Sequence, residues 1–165
     1  MIEELRKIES FLLGPLDLNI LNLFAEKECT EYSGYNFEVN NFKIKFRKAK
    51  ITPKKVGQFV TLWKRNSQNQ TEPFNVKDDF DFYVIATAGI DRFGFFIFPK
   101  DILSHKHILT NNEKGGKRGF RVYPSWDIPA NKMAEKAKSW QSTYFIDLTI
   151  NGKNDLKKFK SILGI

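Results

Sequence analysis

Phe42-Lys43-Ile44-Lys45-Phe46-Arg47-Lys48 alternates apolar and cationic side chains as far as Arg47. A period of two marks a strand with one buried face, because successive Cβ atoms point to opposite sides of a sheet. The stretch predicts Phe42, Ile44 and Phe46 facing inward, with Lys43, Lys45 and Arg47 on the other face. Downstream, Thr52 to Gly57 reads as a turn. Gln58 to Lys64 then carries apolar groups on both faces, as an interior strand does. Phe82-Tyr83-Val84-Ile85-Ala86 and Gly94-Phe95-Phe96-Ile97-Phe98 are apolar runs too short for helices, the form of strands buried on both sides. Phe120 to Tyr123 alternates again and Pro124 stops it.

Working outward, the period changes. Leu5, Ile8, Phe11 and Leu12 recur at helical spacing until Gly14-Pro15, and a second amphipathic run from Leu18 through Leu21, Phe24 and Ala25 predicts a helix reaching Glu31. At the other end, Asn131 is placed to cap a helix through Met133, Ala134, Ala137 and Trp140. A last amphipathic helix starts near Asn154 or Asp155, with Leu156, Phe159, Ile162 and Leu163 inward. The expected fold is α+β: a central mixed or antiparallel sheet of about five strands flanked by N- and C-terminal helices. No repeat or linker divides the chain, so residues 1–165 read as a single domain.

The charge is basic, +8 formally with a pI near 9.5. Its distribution is more informative than its sum. Residues 1–40 hold eight acids against three bases, whereas residues 41–65 hold nine bases and no acid. Cys29 is the single cysteine, which excludes an intrachain disulfide and a Cys-pair zinc site and fits a reducing, cytoplasmic setting. No run approaches the length that would cross a bilayer, so no membrane insertion is expected. His105-x-His107 has no third ligand at a recognisable spacing, and neither a nucleophile elbow nor a dinucleotide fingerprint is present.

Two cationic groupings point to a polyanionic partner. Lys43, Lys45 and Arg47, continued by Lys48, Lys50, Lys54 and Lys55, would stand about 6.5–7 Å apart on a strand face, a spacing commensurate with successive phosphates. The same pattern also suits a solvated outer face on which lysine guards an edge. Gly115-Gly116-Lys117-Arg118-Gly119 is a loop able to wrap an anion, with Arg121 beyond it, although it is no Walker A loop. The expectation is binding of DNA, with RNA as the alternative, through Lys43, Lys45, Arg47, Lys48, Lys50, Lys54, Lys55, Lys117, Arg118 and Arg121, without sequence readout and with no cofactor. The competing expectation is Mg²⁺-dependent phosphodiester cleavage, which needs carboxylates converging on the metal and a lysine beside them. Glu28, Glu31, Glu38, Asp79, Asp81 and Asp101 supply candidates, at element ends where caps and solubilising charges also occur.

Three blocks, residues 42–65, Gly94 to Ile102, and Gly119-Phe120-Arg121-Val122-Tyr123-Pro124-Ser125-Trp126, resemble the MepB-like family. The resemblance implies a cytoplasmic protein with a sheet core like that of type II restriction endonucleases and an association with DNA. It also implies a link to drug efflux, and with it a protein-interaction scaffold as a third reading. Such nucleases place an acid on one strand and an acid-x-lysine on the next. By that resemblance Asp81 matches the first position and Phe98-Pro99-Lys100 the second, where phenylalanine stands in place of the acid and Glu31 or Asp101 would substitute. The implied catalytic set is therefore Glu31, Asp81 and Lys100, with Asp81 and Glu31 on the metal.

Overall fold

A computed structural model describes every residue except Glu113, Asn151 and Gly152. Its strands are β1 (Leu21–Ala25), β2 (Tyr35–Val39), β3 (Phe42–Lys48), β4 (Lys50–Thr52), β5 (Lys55–Thr61), β6 (Trp63–Arg65), β7 (Thr71–Pro73), β8 (Phe82–Gly89), β9 (Arg92–Pro99), β10 (Gly119–Val122) and β11 (Phe145–Asp147). Its helices are α1 (Glu3–Ile8), α2 (Lys100–His105), α3 (Lys132–Ser142) and α4 (Lys153–Leu163). The chain is α+β, built on a mixed six-stranded sheet of order β1-β2-β3-β8-β9-β11. Only β3 and β8 run parallel; the other neighbours are antiparallel.

The alternation in β3 sets the two sides of this sheet. Ile44 and Phe46 point into a core with Val84, Ala86, Phe95 and Ile97, closed by α1 and α4 through Leu5, Ile8, Phe159 and Leu163. The opposite face, which includes Tyr83, Ile85, Phe96 and Phe98, packs on a smaller sheet of order β10-β5-β4 through Val60, Leu62, Phe120 and Val122. Strands β8 and β9 are thus sandwiched, which is why their apolar runs are continuous. β5 is the middle strand of the smaller sheet, in keeping with its apolar residues on both faces.

Asn131 caps α3, its side chain accepting from the Ala134 amide at 2.9 Å. α1 runs on through a wide turn over Glu9–Leu13 and a tight one over Gly14–Leu16, ending at Asp17 with φ of 55°.

Residues 18–31 depart from the expected helix. Leu21–Ala25 is an edge strand, and Thr30–Tyr32 a single tight turn. Asn22 has φ of 52°, which breaks a helix, and the strand slips register between Leu21 and Phe24. Without β1, the outer edge of β2 would leave a row of backbone groups unpaired. Edge pairing therefore outweighs the amphipathic period: Leu18 still packs on the core, but Leu21 and Phe24 are exposed. The strand read over Gln58 to Lys64 also divides: its last part forms β6, which pairs with β7, while β5 pairs with β4 and β10.

Candidate nucleic-acid interface

The cationic face of β3 is where sequence reasoning concentrated, and the fold turns it toward acids. Lys43 pairs with Asp79, Lys45 with Glu26 at 2.9 Å, Arg47 with Glu26 at 2.5 Å, Lys48 with Glu4 at 2.5 Å and Lys50 with Glu31 at 3.6 Å. Farther on, Lys64 meets Asp78 at 2.7 Å and Arg65 meets Glu28 at 2.9 Å. Four of these acids, Glu4, Glu26, Glu28 and Glu31, come from the acidic first forty residues. Segregation along the chain is thus cancelled across the fold. Of the nine bases in residues 41–65, only Lys54 and Lys55 lack an ion pair among the described residues.

Arg47 departs furthest from the expected phosphate role. Its side chain is 0% exposed and donates to the Phe46 carbonyl and to Glu26. Lys45 is 13% exposed, donates to Glu26 and Asn36, and lies 4.5 Å from the centre of the Phe74 ring. Burial pushes the Glu26 carboxyl upward, but Arg47, Lys45 and Asn36 together outweigh it and hold the group below the usual carboxylate range. Tyr83, next to this cluster, donates to the Thr61 carbonyl at 2.6 Å, and burial raises its phenol strongly. The ion pairs tie the segment after β1 to β2 and β3, and the Tyr83 hydroxyl links this part of the larger sheet to β5.

The acids and lysine of the expected catalytic set are only partly gathered. Asp81 accepts from the Lys43 amide at 2.8 Å at the start of β8, and its carbonyl accepts from the Lys100 amide at 3.0 Å. The Lys100 ammonium, however, donates to the Asp78 carbonyl and covers the Phe80 ring. Asp101 turns its carboxylate onto the Ile102 amide at 2.7 Å. Glu31 pairs with Lys50, beyond the C-terminal end of β3, whereas Asp81 meets Lys43 at its start. Sequence proximity to a strand says nothing about which end of the sheet an acid reaches, and here Glu31 and Asp81 reach opposite ends. Among the described residues no three His, Cys, Asp or Glu side chains converge as a metal site would require.

A different concavity gathers six further cations. A groove of about 830 Å³ runs between the β4–β5 turn and α3, with β10 as its floor. Lys54 and Lys55 come from the turn, Lys106 from the end of α2, Lys117 and Arg121 from the approach to β10 and the strand itself, and Lys132 from the first turn of α3. Among the described residues no carboxylate lines it. Lys54, Lys55, Lys117 and Lys132 are exposed. Arg121 is aimed by a bond to Thr52 Oγ1 at 2.6 Å, and Lys106 stands 5.6 Å from the centre of the Trp140 ring. Arg118 lies outside the groove, its Nε 3.3 Å from the Thr71 carbonyl.

The floor owes its shape to two local features. Gly57 has φ of +85°, and any Cβ there would come within 2.7 Å of the Tyr123 ring. The outer edge of β10 is closed by Gln141, which is 1% exposed: Tyr123 donates its amide to Oε1, and Nε2 donates to the Arg121 carbonyl, both at 2.9 Å. Lys54, Lys55, Lys117 and Arg121 were legible in the sequence as cations. Lys106 and Lys132 were not, because nothing in linear spacing signals that the end of α2 and the start of α3 border one groove.

Residues 26–147 match the MepB-like family model. The chain belongs to the MepB-like family. Its structure resembles the crystal structure of MepB with a TM-score of 0.78 and 31% identity, over 90% of this chain and 98% of that one. A bacterial homing endonuclease, I-Ssp6803I, aligns with a TM-score of 0.44 and 14% identity, over 77% of this chain and 79% of that one. No curated protein is significantly similar in sequence. The family match spans β2 to β11 and so takes in the groove floor together with the β3 ion-pair network.

Proposed function

We propose that this MepB-like protein binds nucleic acid through the groove between the β4–β5 turn and α3. The observation that carries the reading is a concave surface lined by Lys54, Lys55, Lys106, Lys117, Arg121 and Lys132 with no carboxylate among the described residues, in a molecule whose β3 cations are ion-paired. Clustered cations in a concave wall focus their field outward, whereas paired cations contribute little beyond their own contact. Phosphates neutralise such a surface and release counterions, so affinity must fall with salt.

Fluorescence anisotropy with labelled DNA across a salt series tests this. A linear fall of log affinity against log salt is expected, at a slope of roughly −0.7 to −0.9 per phosphate contacted. Lys54→Glu together with Lys117→Glu should flatten that slope and weaken binding, while Lys43→Glu should change binding far less. Absence of binding at low salt would overturn the reading.

A further inference from the structure

The groove is cationic around an apolar interior, and that combination bears on which form of nucleic acid enters it. Phe120 and Tyr123 form the floor, and Ala134, Ala137 and Trp140 the α3 wall. Met133, on the first turn of α3 beside Lys132, is 84% exposed and faces this space. Trp140 rests on Phe98 with ring centroids 5.3 Å apart and keeps part of its surface accessible. A duplex shows phosphates on its outside and hides the flat faces of its bases, so it has nothing to set against these apolar surfaces. A single strand offers both at once, phosphates along one side and unstacked base faces on the other. A space of about 830 Å³ is also on the scale of a small-ligand pocket, about 300–1,000 Å³, which suits a short run of nucleotides better than a duplex.

We infer that the groove takes a single strand of DNA or RNA, its phosphates on Lys54, Lys55, Lys117, Arg121 and Lys132 and its bases against Met133 and Trp140. The inference rests on the nucleic-acid reading above and specifies the form of the ligand. Met133 replaces part of the water-facing wall with a flexible, polarizable surface that adapts to any base, so the site is not expected to read sequence.

The experiment compares labelled oligothymidylate and oligouridylate of about twelve nucleotides, within the site sizes known for single-strand binders, with a duplex of the same length. Either single strand should bind at least about tenfold more tightly than the duplex, and Met133→Glu should weaken single-strand binding by about tenfold or more. Met133 is exposed, so that variant should keep the wild-type melting curve. Duplex binding as tight as single-strand binding overturns this inference and leaves the nucleic-acid reading standing. Binding of none of the three overturns both. Single-strand binding indifferent to Met133→Glu and to Lys117→Glu shows that the strand lies elsewhere. Displacement by polyglutamate as effective as displacement by an oligonucleotide of equal charge shows an acidic polymer surface instead, and equally overturns the inference.

Discussion

Glu26 holds two cations at once, Arg47 through Oε2 and Lys45 through Oε1, with Asn36 completing the set. The two cations have little access to water, so the carboxylate is what makes their burial tolerable. Glu26→Gln keeps the size and removes the charge, leaving both uncompensated. Urea denaturation should show a loss of about 3–5 kcal/mol at neutral pH, the range for breaking a buried pair from one side. The pH dependence carries a sign. Because the folded Glu26 carboxyl lies below its ordinary value of 4.5, its stabilisation is present above that pH and is lost as pH falls through the folded pKa. The gap between wild type and Glu26→Gln should therefore narrow below about pH 4.5, and a gap independent of pH would show that the ion pairs do not stabilise the fold.

The most exposed backbone liability among the elements bordering the groove is the outer edge of β10, and one side chain from α3 answers it. Gln141 supplies an acceptor to the Tyr123 amide and a donor to the Arg121 carbonyl from a buried position. Gln141→Leu fills similar space but leaves two backbone groups without partners, at about 1–3 kcal/mol per unsatisfied buried group. Thermal melting should fall accordingly, and amide exchange at Tyr123 should quicken. Asn131→Ala, which removes the α3 cap, should cost about 1 kcal/mol by itself. Both substitutions loosen the same wall, so single-strand affinity should drop in Gln141→Leu even though Gln141 carries no charge. Unchanged exchange at Tyr123 would show that α3 is not what closes the strand edge.

At the scale of the whole molecule, six cations line the groove beside the smaller sheet and α3, whereas the four cations of β3 are ion-paired. The first forty residues bring acids to the basic block through β1, the Thr30–Tyr32 turn and α1. Charge reversal should therefore sort by place rather than by residue type. Lys48→Glu sets a second carboxylate beside the half-buried Glu4, so it should lower the melting temperature and leave nucleic-acid affinity nearly intact. Lys54→Glu and Lys55→Glu together should leave stability intact and reduce affinity. The reverse pattern in melting and anisotropy would return the interface to β3.

The linear sequence determined the elements whose pattern is local. The alternation of β3, the two buried runs of β8 and β9, the Asn131 cap and the terminal helices are all legible because a strand or helix needs only its own period to declare which face is apolar. The α+β class follows from them. Sequence did not reveal that Leu18 to Glu31 gives up its helical period to cover the edge of β2, since that choice depends on a partner strand's unpaired backbone. Nor did it reveal that the cationic face of β3 meets Asp79 and Glu26, because a charge reads the same in the chain whether its neighbour in space is water or a carboxylate. Only the tertiary structure decides which cations keep their field, since Coulomb interactions depend on distance through the fold and not on separation along the chain.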